Sequence, residues 1–184
     1  MLYLITGNKG KFSEFKTILK GVSVRQLDVE LPEIQELDSR SIIRAKLAEG
    51  LKHKSGDIAV EDSSLYLRCM NGMPGPLVKW FMKAIGSEGI YHIAEGFGDY
   101  SAEVRCTIGY ATSKGAMHFF EGSVLGKVVS PKGSNGFGWD VIFVPEGFSK
   151  TFGEMSAEEK NRISHRKLAA DKLSAFLEKA GKIK

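Results

Sequence analysis

The sequence predicts an α/β protein, and three observations lead to this prediction. The apolar run from Leu2 to Thr6 is followed by apolar residues at helical spacing up to Gly21, which indicates a strand, a loop and a helix. Apolar residues alternate with other residues from Val104 to Tyr110, which is typical of a strand with one buried face. Helical spacing returns from Leu168 to Leu177. Strands and helices in this arrangement predict a central sheet flanked by helices.

A strand and a helix are predicted after the first helix. The strand covers residues 22 to 27, and Pro32 breaks the segment that follows it. Ser39 or Ser41 is expected to cap the helix, and Gly56 ends it. The apolar residues of this helix are Ile42, Ile43, Leu47 and Leu51.

The next predicted strand runs from Ile58 to Leu67 and carries acidic residues. Its apolar start is followed at once by Glu61, Asp62 and Ser63, so we expect carboxylates at or near a strand end. Open α/β sheets bind their ligands at strand ends.

The middle of the chain predicts a helical insert and a β-hairpin. A rigid turn at 72–76 precedes helical spacing from Leu77 to Ala94, where Gly86 and Gly89 indicate a division into two helices. The alternating segment from Ala102 to Val128 predicts two antiparallel strands that turn at 113–116.

The last third predicts a loop, a strand and a helix. A loop rich in Gly and Pro leads to a strand from Val141 to Val144, which Pro145 stops. The last helix begins near Ser164 and ends before Gly181. Its expected buried residues are Leu168, Ala169, Leu173, Phe176 and Leu177. No repeat or linker divides the chain, so residues 1–184 are expected to form a single domain.

Composition favours a globular protein with an anionic partner. The 184 residues are 42% hydrophobic and 26% charged, and no apolar run approaches the roughly 20 residues of a membrane span. No signal peptide is evident in MLYLITGNKGK, so a cytoplasmic location without membrane partners is expected. The net charge of +4 suits a nucleic acid, a membrane surface or a phosphorylated small molecule. Because the charges are scattered, a compact phosphate site fits better than nucleic acid.

The cysteines and histidines offer no covalent or zinc framework. Cys69 and Cys106 cannot form a disulfide network, and the sequence has no Cys/His cluster with zinc spacing. Both thiols are expected to be reduced and structural.

The segment TGNKGK at 6–11 lies between the first strand and the first helix. Unpaired amides and the positive end of the helix dipole suit a phosphate group there. The segment matches neither a Walker A sequence nor GxGxxG, and an ordinary polar turn that caps a helix explains it equally well.

Three carboxylates are candidates for binding a hard cation. Glu61 and Asp62 follow an apolar strand, and Glu33 follows Pro32 in a predicted loop. Oxygen ligands of this kind suit Mg²⁺, and a remaining carboxylate could accept a proton from water. The alternative is a solvated acidic strand end.

Aromatic and cationic residues in the last third suggest a base site and an anion site. Phe137 to Asp140 places aromatic faces beside a carboxylate, which would suit a purine, although such aromatics are more often core residues. Lys160 and the sequence Ser164-His165-Arg166 place cations at the expected start of the last helix, where the helix dipole disfavours them. A bound anion would explain them, and exposed charges on a helix cap are the alternative.

Six segments in this order resemble the inosine triphosphate pyrophosphatase family across nearly the whole chain. They are TGNKGK at 6–11, LPE at 31–33, EDSSL at 61–65, GMPGP at 72–76, GFGWD at 136–140 and EKNRISHR at 159–166. The resemblance implies a homodimeric α/β protein with a mixed central sheet and two lobes with a cleft between them. It also implies Mg²⁺-dependent hydrolysis of ITP, dITP and XTP to the monophosphate and pyrophosphate, which removes deaminated purines from the nucleotide pool.

The same resemblance implies roles for individual residues. Asp62 matches the proton acceptor for the attacking water, Lys11 a catalytic phosphate-binding cation, and Glu33 with Asp62 the magnesium site. The other implied substrate-binding residues are Thr6, Gly7, Asn8, Lys9, Gly10, Ser63, Phe137, Gly138, Trp139, Asp140, Lys160, His165 and Arg166.

This chain departs from the family pattern at two places. Arg44 stands where we expect a phosphate-binding lysine of the second helix, and Arg keeps the charge with a different donor geometry. The acidic motif, often DDSGL, has Glu61 and Ser64 here. Two other functions stay open: a septum-inhibitor-type nucleotide pyrophosphatase with another base preference, and a noncatalytic basic protein that binds nucleic acid.

Overall fold

The protein is an α/β structure with a mixed sheet, described by a computed structural model over residues 1–19 and 21–182. Short 3-10 helices lie at Arg68–Met70 and Gly138–Ile142. The α-helices are α1 (Lys9–Ile18), α2 (Ser39–His53), α3 (Val78–Phe97), α4 (Ala157–Ile163) and α5 (His165–Lys179). The strands are β1 (Leu2–Ile5), β2 (Val24–Leu27), β3 (Asp57–Leu67), β4 (Pro74–Gly75), β5 (Ser101–Ala111), β6 (Met117–Val128) and β7 (Phe143–Pro145).

The strand order is β2-β1-β3-β5-β6-β7, and β4 pairs with β3. β1 runs parallel to β2 and β3, with Leu4 aligned to Gln26 and to Ala59. The pairs β3–β4 and β6–β7 are antiparallel. The mixed sheet predicted for this family is therefore present.

The chain divides into two compact units. The first unit contains the described residues of 1–62, 106–122 and 166–184, and the second unit contains 63–105 and 123–165. Strands β3, β5 and β6 each contribute residues to both units.

In the first unit the sheet has an apolar cluster on each face. Alternation along β3 sends Ala59 into a cluster with α1 and α5, and it sends Ile58 and Val60 into a cluster with α2. Close packing of α2 depends on Gly109 of β5, where a Cβ atom would lie 2.2 Å from Ile43 Cγ2. The same alternation determines which way the polar residues of β3 point.

The second unit has its own core between α3 and the strands. Val104, Trp139 and Phe143 belong to it, together with the fully buried Phe152. The break predicted in the helical insert is confirmed, because Gly86 has non-helical φ and ψ of 69° and −176° inside α3. The hairpin turn is also confirmed, since the Thr112 N–H donates to the Ala116 carbonyl at 2.9 Å.

Two expectations for the first half were wrong. Asp38, not Ser39 or Ser41, caps α2, because its carboxylate accepts from the N–H groups of Arg40 and Ser41, each at 3.1 Å. The predicted end of the strand at Leu67 is confirmed, but Glu61 and Asp62 lie within β3 and not at its end, because β4 pairs with the last residues of this strand.

Three expectations for the last third were also wrong. The last strand begins at Phe143 and includes Pro145, because residues 138–142 form a 3-10 helix and β7 lies at the edge of the sheet. Lys160 belongs to a separate helix, α4, and it lies in the last turn, where the dipole favours a cation. Leu168, which was expected among the buried residues of the last helix, is 39% exposed.

Within residues 1–19 and 21–182, no helix combines the length and the apolar character needed to cross a membrane.

Candidate functional site

The loop between β1 and α1 is held by its own side chains. Thr6 Oγ1 accepts from the Asn8 N–H at 3.1 Å, and Asn8 Oδ1 caps α1 by accepting from the Lys11 N–H at 3.0 Å. Gln26 Nε2 donates to the Thr6 carbonyl at 2.7 Å. A Cβ atom on Gly7 would lie 3.2 Å from an Asp28 oxygen, so the loop passes close to the end of β2. The interpretation of this segment as a polar turn that caps a helix is therefore correct.

The exposed start of α1 is also suited to an anion. Residues 7–10 are exposed, and α1 has no acidic residue in its first turn, where acidic residues are common. Lys9 and Lys11 occupy that turn instead. The amides of Lys9 and Gly10 have no carbonyl partner within the helix, as for any first turn. Capping by Asn8 and anion binding by the neighbouring amides are compatible.

Lys11 extends from this turn to a buried carboxylate of β3. Lys11 Nζ lies 2.6 Å from Glu61 Oε1, and the Glu61 side chain is 1% exposed. Glu61 Oε2 accepts from Arg166 Nε and Nη2, each at 3.3 Å, and lies 3.4 Å from Cys106 Sγ. Arg166 Nη1 also pairs with Glu14. Two cations and two carboxylates thus form one buried cluster in the first unit.

The charges in this cluster stabilise one another. Burial raises the pKa of Glu61, but the charges of Arg166 and Lys11 outweigh it, and the pKa is lowered far below its usual range. Burial lowers the pKa of Lys11, but attraction to Glu61 outweighs it, so the pKa is raised. Both groups are therefore charged at neutral pH. Burial raises the pKa of the Cys106 thiol well above its usual value, so that group is neutral.

Asp62 points to the opposite face of β3, towards α2. Asp62 Oδ1 lies 3.0 Å from Lys46 Nζ, and Glu33 Oε1 lies 3.9 Å from the same nitrogen. The Lys46 side chain is 10% exposed and that of Asp62 is 17% exposed. Two carboxylates therefore face one cation at the position where the sequence predicted a metal site.

Burial makes the Asp62 carboxylate a stronger base than an exposed aspartate. Burial raises the pKa of Asp62, and the nearby ammonium groups of Lys46 and Lys11 lower it by less, so the net shift is upward. A carboxylate with a raised pKa is a better general base than an exposed one. Glu61 on the other face has the opposite shift and is not suited to this role.

Lys46 is a candidate site residue that sequence reasoning missed, and Arg44, which was predicted there, does not join it. Arg44 is exposed, with its guanidinium carbon 5.3 Å from the centre of the Phe119 ring. Lys46 is buried because it follows Ile43 by three residues on the apolar side of α2. A lysine at an apolar position of an amphipathic helix was the signal that could have identified it.

A second polar group lies in the second unit, around Asp140. Asp140 Oδ2 accepts from the Phe137 N–H and from Lys160 Nζ, both at 2.7 Å. Asp140 and Lys160 are 2% and 3% exposed. The Lys160 ammonium also lies 4.9 Å from the centre of the half-buried Phe137 ring. Phe137 is thus fixed by its backbone and by a cation on its ring.

Glycine at 136 permits this arrangement. Gly136 has φ of +75°, and a Cβ atom there would lie 2.2 Å from Asp140 Oδ2. Gly138 also has a positive φ, of +64°, and its ideal Cβ position has no heavy atom within 4 Å. The chain around Phe137 therefore depends on glycine for its conformation, and Gly138 adjoins open space.

Two other predicted residues of this unit, Trp139 and His165, are buried and do not form an exposed surface. Trp139 is 8% exposed and belongs to the core, and its ring centre lies 5.3 Å from that of His165. His165 is 1% exposed and also stacks on Phe152 at 6.1 Å. Ser63 is half-buried in β3, directly after Asp62.

The predicted residues therefore fall into two groups. The first unit brings together the 6–11 loop, Glu33, Asp62 and Arg166, and the second unit brings together residues 137–140 with Lys160 and His165. In the sequence, Arg166 was grouped with the base site, whereas its contacts described here are with Glu61 and Glu14.

Comparison with known proteins identifies the family. The model of the Ham1 family matches residues 2–176. The chain belongs to the Ham1 family. An inosine triphosphate pyrophosphatase of Schizosaccharomyces pombe is 42% identical to this Ham1 chain over 179 residues, which is 96% of this chain and 95% of that protein. The predicted resemblance is confirmed.

Solved Ham1 structures share the fold. The Ham1 protein of Staphylococcus aureus superposes with a TM-score of 0.82 at 27% identity, over 98% of this chain and 100% of that one. A nucleoside-triphosphatase, described as a dITP/XTP pyrophosphatase, of Mycobacterium abscessus superposes with a TM-score of 0.72 at 26% identity, over 96% and 99%. These matches confirm the α/β fold class with a central sheet flanked by helices.

Proposed function

We propose that this protein hydrolyses ITP, dITP and XTP between the α and β phosphates, giving the nucleoside monophosphate and pyrophosphate. The observation that carries the proposal is the 42% identity, over 96% of the chain, to a protein named inosine triphosphate pyrophosphatase. The carboxylate and lysine groups beside the 6–11 loop support the same chemistry. Removal of deaminated purine nucleotides from the pool is the corresponding role.

The triphosphate is assigned to the first unit. Lys11 and Lys46 supply two cations, and the backbone amides of Lys9 and Gly10 supply donors at a helix N-terminus. The side-chain amide nitrogen of Asn8 supplies a further donor beside them. A nucleoside triphosphate carries about four negative charges, and phosphate transfer depends chiefly on charge stabilisation. The same cations stabilise the pyrophosphate as it leaves. Lys46 takes the place that the sequence prediction gave to Arg44.

Glu33 and Asp62 are the residues that would hold Mg²⁺. Their oxygens converge on the Lys46 ammonium, so the space between them already attracts a cation. The described residues contain no group of three or more His, Cys, Asp or Glu that could hold a metal. Mg²⁺ does not need such a group, because it is usually bound by one or two carboxylates together with phosphate oxygens and water. When bound, the ion would neutralise phosphate charge.

Asp62 is assigned the proton from the attacking water. The water attacks the α phosphorus, the α–β bridging bond breaks, and the proton passes to the Asp62 carboxylate. Burial raises the pKa of Asp62, which favours this transfer, whereas the charge of a bound Mg²⁺ would lower that pKa. Ser63, the next residue of β3, is assigned to a substrate contact.

The base is assigned to the second unit. The half-buried Phe137 ring, fixed through Asp140 and Lys160, offers a face on which a purine can stack, and Gly138 leaves space beside it. His165 and Trp139 support this wall from the core. His165 is proposed as a donor for the 6-oxo group. The resemblance also gives Arg166 this role, although its described contacts are with Glu61 and Glu14, and Arg166→Ala should then narrow the ratio of kcat/KM between ITP and ATP. An unchanged ratio would remove Arg166 from base recognition.

A substrate panel tests the proposed function. Purified protein with Mg²⁺ should release pyrophosphate from ITP, dITP and XTP, with much slower release from ATP and GTP. Asp62→Asn is the matched control for contaminating enzymes, because it preserves size while removing the base. Orthophosphate as the main product, or equal rates on ITP and ATP, would contradict the proposal.

We also propose a homodimer in the cytoplasm that binds neither nucleic acid nor membranes. The family resemblance supports the homodimer, and the scattered charges argue against nucleic acid. Light scattering after size exclusion would measure the mass against 20.2 kDa for one chain. Filter binding over a salt titration would detect nucleic acid binding.

A further inference from the structure

Glu61 is a buried carboxylate that takes no part in the chemistry proposed above. Its neighbour Asp62 has the roles of base and metal ligand, and it lies on the other face of β3. Glu61 nevertheless contacts three side chains from three other elements: Lys11 of α1, Arg166 of α5 and Cys106 of β5. A charged side chain that is 1% exposed is costly unless its partners compensate it.

The two oxygens of Glu61 have different partners. Oε1 lies 2.6 Å from Lys11 Nζ, while Oε2 is held by Arg166 at 3.3 Å and lies 3.4 Å from Cys106 Sγ. Arg166 is itself fixed by Glu14. Arg166 and Cys106 therefore hold one oxygen of the carboxylate, and the other oxygen faces Lys11.

Lys11 is the partner that needs to be held. Its side chain is 21% exposed, whereas that of Glu61 is 1% exposed, so the ammonium lies between the interior and the exposed loop. A lysine side chain has many rotamers and loses conformational entropy when it is fixed in one position. If Glu61 has already fixed it in the folded protein, phosphate binding does not have to bear that cost.

We propose that Glu61 is a positioning residue that holds the Lys11 ammonium ready for the phosphate chain, with Arg166 and Cys106 holding Glu61 in place. The inference rests on the proposed function, in which Lys11 binds phosphate. It predicts that Glu61 influences the reaction only through Lys11. Aspartate would be about 1.5 Å shorter, the length of one carbon–carbon bond, and could not keep both sets of contacts.

A double-mutant cycle tests this inference. Glu61→Gln keeps the shape but removes the charge, and kcat/KM for ITP should fall about tenfold to a hundredfold, the loss expected for one charged hydrogen bond. In a Lys11→Ala background the same substitution should change kcat/KM less than about threefold. An equal fall in both backgrounds would overturn the proposal, because Glu61 would then act independently of Lys11.

Two further variants separate positioning from folding. Glu61→Asp retains the charge and should recover part of the loss in kcat/KM, which a purely steric role would not predict. Glu103→Gln removes a carboxylate that pairs with Arg105 in the second unit, outside this cluster, and should change kcat/KM less than about threefold. If Glu103→Gln reduces kcat/KM as much as Glu61→Gln does, loss of a charged pair acts through stability and the proposal fails.

Measuring the binding of inorganic pyrophosphate tests the positioning role without requiring that ITP is cleaved, so it is independent of the test of the proposed function. Calorimetry without a nucleotide should show weaker pyrophosphate binding by Glu61→Gln than by the wild type, by about tenfold. If the wild type binds pyrophosphate and Glu61→Gln weakens it, but ITP is not cleaved, the proposed function fails and the positioning role stands. Equal affinities of the two proteins would overturn the positioning role, whatever the activity on ITP.

Discussion

Glu61 and Asp62 are adjacent in β3, and their side chains contact opposite faces of the sheet. Glu61 pairs with Lys11 and Arg166 on the α1 and α5 side, whereas Asp62 pairs with Lys46 on the α2 side. The pKa of Glu61 is lowered and that of Asp62 is raised, so the two carboxylates differ in proton affinity. One strand therefore carries two neighbouring carboxylates whose pKa values are shifted in opposite directions.

Replacing Asp62 should remove most of the activity. Asp62→Asn cannot accept the proton from water, and loss of a general base costs about 10²- to 10⁴-fold in rate. We expect kcat for ITP to fall by that factor while the circular dichroism spectrum is unchanged. A near-normal rate under saturating Mg²⁺ would place the base at another residue.

Lys46 and Arg44 should differ sharply in their effect on activity. Lys46→Met removes the cation that faces Asp62 and Glu33, and it should lower kcat/KM for ITP about tenfold or more, as for loss of one charged interaction. Arg44→Met, at an exposed position two residues away, is the matched comparison and should cost less than about threefold. The reverse order of effects would restore Arg44 as the phosphate-binding cation.

The buried Asp140–Lys160 pair should stabilise the second unit. Removing one partner leaves an uncompensated charge, which costs about 3–5 kcal/mol. Lys160→Met should therefore lower the melting temperature by roughly 6–20 °C for a protein of this size. The double variant Lys160→Met with Asp140→Asn should cost less than the sum of the single variants. Simple additivity would indicate that the pair does not act as a unit.

The two cysteines should differ in reactivity. Cys69 is partly exposed, whereas Cys106 is fully buried beside Glu61, and burial raises the pKa of Cys106 well above its usual value. In native protein near pH 8 a thiol reagent should label Cys69 and leave Cys106 unmodified, and both should react after unfolding. Rapid labelling of Cys106 in Cys69→Ser would show that this part of the first unit opens readily.

The Asp99–Arg68 pair of the second unit should contribute to stability in a way that depends on pH. The hydrogen bond from Arg68 lowers the pKa of Asp99 to about 2. Since the folded pKa lies below the unfolded value of about 3.9, this pair stabilises the protein above that value, and the contribution is lost as the pH falls towards 2. NMR titration should place the Asp99 midpoint near 2 and move it upwards in Arg68→Ala. An unmoved midpoint would assign the shift to another group.

The sequence predicted the elements that depend on local patterns. Apolar periodicity located the strand–loop–helix at the N-terminus, the break at Gly86 and the turn before β6. Boundaries were less accurate where a distant partner decides them. Glu61 and Asp62 were expected at a strand end and lie within β3, because β4, from Pro74 onwards, pairs with the last part of that strand, and no local pattern at Asp62 contains that information.

The candidate site shows the same division. Sequence alone predicted the family, which the comparisons confirm, and it singled out the 6–11 loop, Asp62 and the GFGWD segment as candidates, because these are short motifs in a fixed order. Tertiary structure alone decided that Lys46 and not Arg44 faces Asp62, and that Arg166 pairs with Glu61, 105 positions earlier in the chain. Side-chain partners across a sheet depend on which face each residue takes and on which helix covers that face. That packing is a property of the folded chain, and spacing along the sequence does not contain it.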